Sequence, residues 1–202
     1  MRTIAIIQAR LTSTRFPGKV LADLDGTPIA ARVVQAAEQI KGVHHAVLAW
    51  PVAGIDENDV LARYVHYATL YEADVIVRLT ADCPLFDPQV GTLVLQAFKN
   101  IGSIGYASNV YPKRTWPDGM DCEVFSLDYL VGADADPATT AHDREHVTPP
   151  IQRAAAEDCR YISVELPVDW SAVRLTVDTP EDLEWLRVAI NAPRSGSPTP
   201  GK

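Results

Sequence analysis

The chain has 202 residues, enough for one domain with a sizeable core and too short to argue firmly for two. Hydrophobic residues make up 47% and charged residues 22%, as in an ordinary globular protein, and the net charge of −8 argues against a general nucleic-acid binder, which would present a basic face. Cys83, Cys122 and Cys159 lack any CxxC spacing, which suits reduced thiols in the cytoplasm rather than a disulfide frame or zinc site, and no apolar run is long enough for a signal peptide or a membrane span.

In chain order, Thr3 to Gln8 is β-branched and almost wholly apolar, which predicts a strand covered on both faces. The loop after it gathers Arg10, Arg15 and Lys19, with Thr12, Ser13 and Thr14 between them and Pro17-Gly18 just before the lysine. Thr27 as cap, Pro28 in the first turn and Gly42 as stop predict a helix between them. A strand is expected over 46–49, a helix over 57–71, a strand over 74–80 and a helix from Asp87-Pro88 to about Lys99. Apolar strands alternating with helices imply an α/β fold, a mostly parallel sheet with helices on both faces. The stretch 108–126 reads as loop ending in a strand, CEVFS. Thr148-Pro149 opens a short helix, and strands over 161–166 and 173–177 fit antiparallel additions. Thr179-Pro180 opens a last helix to about Ile190. The domain is expected to cover 1–190, with a disordered Pro/Gly/Ser tail over 191–202.

Two aspartates have no local duty. Asp87 is the natural cap of its helix, and Thr179 with Asp182 makes a capping box, but Asp82 and Asp178 are left over. Both follow a strand end, as does the cationic loop, and ligands bind at that edge of open α/β sheets. The loop suits a polyphosphate cradle or an exposed connector with solvated cations. It is no Walker A motif, because Ser13 stands where glycine is required and Val20 follows Lys19. The aspartates suit a Mg²⁺ site completed by ligand phosphates, or two turns in which they bond the backbone.

The stretch IIQARLTSTRFPGKVLADLDGTPI resembles the opening of the cytidylyltransferases that make CMP-activated sugar acids. DVLARY, VIVRLTADCPLFDP, WPDGMDCEVFS, REHVTPPI and VDTPEDLEWLR resemble more narrowly the branch of spore coat polysaccharide biosynthesis protein F, over about Thr3 to Arg187. The resemblance implies a nucleotide-diphospho-sugar transferase fold, a Rossmann-like sheet with a small dimerisation element. It implies CMP transfer from CTP to an acidic sugar-like acceptor with release of pyrophosphate, for surface polysaccharide or glycan synthesis, by a cytoplasmic homodimer with no nucleic-acid or membrane partner. The nucleotide site it implies comprises Ala9, Arg10, Ser13, Arg15, Gly18, Lys19, Arg63 and Arg78, with Arg10 and Lys19 as the catalytic cations and Mg²⁺ on Asp82 and Asp178.

Acceptor recognition is expected of Asp118, Asp121, Glu123, Arg144, Glu145 and His146, polar residues dense enough to bind sugar hydroxyls and an acid group. His146 suits a base or a hydrogen-bonded neighbour of Glu145. Arg78, inside an apolar strand, needs a carboxylate or phosphate partner, and the cysteines read as packing residues. Two departures stand out. The branch carries an additional helix and strand where this chain passes directly from Pro51 to Val52, near part of the base pocket, and Ala81 stands where glycine is frequent. Competing readings are a nucleotide- or sugar-binding module without turnover, and a GT-A-like glycosyltransferase, whose DxD-like metal motif on a strand end is not met by ADCPLFD, where the spacing is wrong.

Overall fold

The computed structural model describes residues 1–102 and 105–192. Strand β1 (Thr3–Gln8) is central: Ile4 and Ile6 face one layer of the core, Ala5 and Ile7 the other, and all four are fully buried. Burial on both faces is why the run is apolar throughout instead of alternating. After the cationic loop come a 3₁₀ turn, Lys19–Leu21, and a small hairpin of β2 (Asp23–Leu24) and β3 (Thr27–Pro28). Asp25 and Gly26 both take positive φ, 55° and 80°, as a type I′ turn requires. This hairpin claims Thr27 and Pro28, so helix α1 (Ile29–Glu38) starts after them, and it ends before Gly42.

Strands β4 (His45–Ala49) and β5 (Val75–Thr80) pair with β1 in parallel on either side. Helix α2 (Val60–Leu70) covers the Ile4/Ile6 face, where Tyr64 Oη donates to the Ile6 carbonyl at 3.2 Å. The other face is covered by α1 and by α3 (Pro88–Asn100), capped by Asp87, which accepts from the Gln89 amide at 2.8 Å. Residues 50–59 lead to α2 without a regular element, so the extra helix and strand of the branch have no counterpart and β4 is an edge of the sheet.

The rest of the chain extends the other edge. It comprises β6 (Tyr106–Ser108), β7 (Glu123–Ser126), α4 (Leu127–Ala135), α5 (Ala141–His146), α6 (Thr148–Glu157), β8 (Tyr161–Ser163) and α7 (Pro180–Asn191). The six-stranded sheet has the order β4-β1-β5-β7-β6-β8, with β7 antiparallel to both neighbours. Three sequence expectations change here. β8 is shorter than 161–166 and parallel to β6. The segment 173–177 makes only a bridge between Arg174 and Asp118, because it runs along an irregular loop instead of a strand. Helices α4 and α5 were not anticipated at all. Residues 193–202 of the expected tail lie outside the described residues, and among the described residues no helix is long and apolar enough to cross a membrane.

Candidate active site

Strands β1 and β5 are parallel neighbours, so the loops at their carboxyl ends emerge side by side. The loop after β1 folds back on itself, with the Gly18 amide on the Leu11 carbonyl at 2.9 Å and the Lys19 amide on the Phe16 carbonyl at 3.1 Å. Gly18 makes the turn at φ 70°, a conformation that strains any residue with a Cβ. The 3₁₀ turn then drives the Lys19 side chain, 8% exposed, beneath the loop.

There its ammonium contacts Asp82 Oδ2 at 2.8 Å, Asp178 Oδ1 at 2.8 Å and the Val177 carbonyl at 2.9 Å. Burial pushes the Lys19 pKa down, but the Asp82 charge and the hydrogen bonds to Asp178 and Asp82 outweigh it and the value is raised. The second Asp178 oxygen meets Arg15 at 3.0 Å and Arg174 at 2.6 Å. Burial raises the Asp178 pKa and Lys19, Arg15 and Arg174 lower it, with a net depression. Asp82 and Asp178 thus bond cations through their carboxylates, which excludes the reading of both as backbone-capping turn residues.

These groups floor a cleft of about 180 Å³ lined also by Gln8, Arg10, Ser13, Thr14, Arg78, Ala81, Glu145 and His146. Arg10 reaches Glu145 at 3.7 Å, and His146 packs on His142 with ring centroids 4.3 Å apart. The two rim residues are carried by the end of α5, where Val147 is forced to φ 69° between two helices, a strained conformation for a β-branched residue.

Of the other expected nucleotide residues, Ala9 is buried below the loop, with its carbonyl 3.4 Å from Arg63 Nη1. Arg63 is itself buried, with Nε and Nη2 unpartnered, and burial lowers its pKa. Arg78 has the partner its strand position demanded: Glu123 across the β5–β7 pair, with Gln8 at 3.1 Å.

The expected acceptor residues do not form one pocket. Glu123 is buried and occupied by Arg78, Tyr106 and Gln152. Arg144 is an intramolecular tie, bonded to Asp59 at 2.7 Å and Asp134 at 2.6 Å, which joins α5 to the start of α2 and the end of α4. Asp118 and Asp121 stay together near Arg114, and Asp118 also meets Arg174 at 3.5 Å. Burial, then the Asp121 charge, raises the Asp118 pKa. Cys83 and Cys122 are buried, as packing residues should be, whereas Cys159 is exposed.

Gln8 and Arg174 were missed. Arg174 holds Asp178, Asp118 and Asp182 at once, and its signal was available, a cation inside the apolar run 173–177, like that of Arg78.

Comparison with known proteins bears on the family and the fold. A cytidylyltransferase family model matches residues 4–50. Spore coat polysaccharide biosynthesis protein SpsF of Bacillus subtilis is 32% identical over 207 residues, covering 90% of this chain and 83% of that protein. A 3-deoxy-manno-octulosonate cytidylyltransferase of Trichlorobacter lovleyi is 32% identical over 114 residues, covering 48% of this chain and 45% of that enzyme. Among solved structures, a cytidylyltransferase from Leptospira borgpetersenii superposes with TM-score 0.83 at 31% identity, covering 98% of this chain and 90% of that one. A CMP:2-keto-3-deoxy-manno-octonic acid synthetase complexed with CTP shares the fold, with TM-score 0.67 at 18% identity over 94% of this chain and 98% of that one. On its sequence and its fold, the chain belongs to the cytidylyltransferase family of nucleotidyltransferases.

Proposed function

We propose that the chain transfers CMP from CTP to a sugar acid or related acidic acceptor, with release of pyrophosphate and with Mg²⁺ bound. The observation that carries this reading is the cleft in which Arg10, Arg15 and Lys19 meet Asp82 and Asp178 at the carboxyl ends of β1 and β5. An acceptor oxygen forms the new bond to the α-phosphorus as the bond to pyrophosphate breaks, and negative charge grows on the phosphoryl oxygens and the leaving group. Preorganised cations aimed at that charge are the main catalytic device of such reactions. Arg10 and Arg15, on the loop over the cleft, suit the triphosphate, and Lys19 can reach it from the floor.

The donor set fits Mg²⁺. Asp82 and Asp178 lie close enough to share one ammonium, and Mg²⁺ favours one or two carboxylates plus ligand phosphates over a full protein cage. Among the described residues there is no group of three or more His, Cys, Asp or Glu able to make such a cage. When bound, the metal would supply charge neutralisation at the phosphates. Asp118, joined to Asp178 through Arg174, and Asp121, held beside it by Arg114, would be the carboxylates for acceptor hydroxyls. A cytoplasmic homodimer, with no nucleic-acid or membrane partner, is part of the same proposal and is tested by light scattering and cell fractionation.

The central test is a melting series with CTP, UTP, ATP and GTP, each with Mg²⁺ and then with EDTA. CTP with Mg²⁺ should give the largest rise, which EDTA removes; binding at a hundredfold excess over Kd stabilises by about 2.7 kcal/mol. Pyrophosphate release should then appear with sugar acids and fall sharply with the matching neutral sugars. No shift with any triphosphate, or equal release with acidic and neutral acceptors, contradicts the proposal.

A further inference from the structure

We infer that Lys19 is the resident counter-ion of the Asp82/Asp178 pair, that a divalent cation binds there only by displacing it, and that nucleotide phosphates receive the displaced ammonium. Metal and nucleotide then enter together. The inference rests on the metal reading of the two aspartates given above. The Lys19 ammonium has three donors, and all three are engaged, on Asp82, Asp178 and the Val177 carbonyl, at 2.8 to 2.9 Å. Mg²⁺ takes carboxylate oxygens at about 2.0–2.1 Å, so an ion bonded to both carboxylates would press against an ammonium bonded to the same two groups. Two cations at that separation repel strongly in a half-buried site, and one must leave.

A dication arriving alone meets more than Lys19. Arg15 and Arg174 already flank the second Asp178 oxygen, at 3.0 and 2.6 Å. The pair of acids is thus surrounded by positive charge and is a poor metal site until an anion joins it. A polyphosphate in the cleft supplies that anion, because Arg15 and Lys19 line the cleft as well as the acid pair. Lys19 carries its charge on a flexible stem and can swing. By linkage, nucleotide raises metal affinity by the factor by which metal raises nucleotide affinity.

The experiment counts Mn²⁺ bound to the full chain, from the loss of the free-ion electron paramagnetic resonance signal, without nucleotide. Wild type should bind Mn²⁺ weakly. Lys19→Met should bind it tighter by on the order of tenfold or more, within the usual range for coupled sites, and adding Asp82→Asn should abolish the gain. Lys19→Gln keeps a polar group between the acids and serves if the methionine variant does not fold. Melting gives a second readout, since Mn²⁺ should raise the melting temperature of either variant and leave wild type unmoved. If neither variant gains affinity while wild type with CTP retains Mn²⁺ through Asp82, displacement is wrong and the metal reading stands. If wild type with CTP holds no Mn²⁺ beyond what free CTP binds, the metal reading fails and this inference with it.

Discussion

At the scale of single residues, Asp82 and Arg144 separate a role in chemistry from a role in architecture. Asp82 bonds a buried ammonium at the floor of the cleft and caps no helix. Asp82→Asn keeps its shape and a hydrogen-bonding oxygen but loses the charge. Turnover with CTP should fall by about 10²–10³, the usual effect of losing one preorganised charge-stabilising group, here through loss of a carboxylate for the proposed Mg²⁺, while the circular dichroism spectrum stays that of wild type. Arg144 is the opposite case, since its guanidinium is divided between Asp59 and Asp134 and does not face the cleft. Arg144→Ala leaves two half-buried carboxylates without their cation, and should cost about 1–2 kcal/mol of stability. Urea unfolding measures that loss. Steady-state kinetics should show the KM for the acceptor nearly unchanged, because the role is to hold three helices together.

At the scale of elements, the start of α7 positions the site. Thr179 accepts from the Asp182 amide, and Asp182 accepts in return from the amides of Thr179 and Asp178. This box sets the direction in which Asp178 leaves the helix. Thr179→Ala should cost about 1 kcal/mol, seen as a lower urea midpoint with an unchanged slope, together with weaker CTP binding. The loop carrying Asp118 is held by contact instead of by a cap. Gly119 has φ 109°, and a Cβ there would lie 3.0 Å from the Leu175 backbone. Both the torsion and the space therefore exclude Gly119→Ala without movement of the segment that bears Arg174, and this variant should lose stability and turnover together.

For the whole molecule, the acid limb of stability follows from four depressed carboxylates, of which Asp169, lowered by its hydrogen bonds from Ser171, is fully exposed. Asp143 is lowered mainly by its hydrogen bond to Arg153, and then by the Thr140 amide. Asp178 and Asp182 are raised by burial but lowered more by their partners, Lys19 with Arg15 and Arg174 in one case, the Asp178 and Thr179 amides in the other. Groups whose folded pKa lies below the unfolded value stabilise the protein above about pH 4 and lose that contribution as pH falls through the folded value. Asp118, raised by burial and by Asp121, acts with the opposite sign, and it is one group against four. The urea midpoint should therefore be level near neutrality and fall steadily below about pH 4. A midpoint that rises on acidification would contradict these assignments.

The sequence by itself determined the alternation of β1, α1, β4, α2, β5 and α3, because apolar periodicity and Thr/Asp-Pro starts are local signals. It also singled out Asp82 and Asp178, by removing from consideration the aspartates that cap helices. It could not show α4, whose apolar residues make no clear stripe, nor α5, which has only six residues and is held by Arg144 and a capping box. The Asp25-Gly26 turn was legible in principle, and it displaced the Thr27-Pro28 helix start because those two residues pair with Leu24 and Asp23 in the hairpin. Only the tertiary structure decided the partners of the charges. Lys19 lies 63 residues from Asp82 and 159 from Asp178, and Arg144 lies 85 from Asp59. Pairings over such distances depend on strand order and helix docking. Long-range packing therefore placed Arg144 in the scaffold and Lys19 between the two acids.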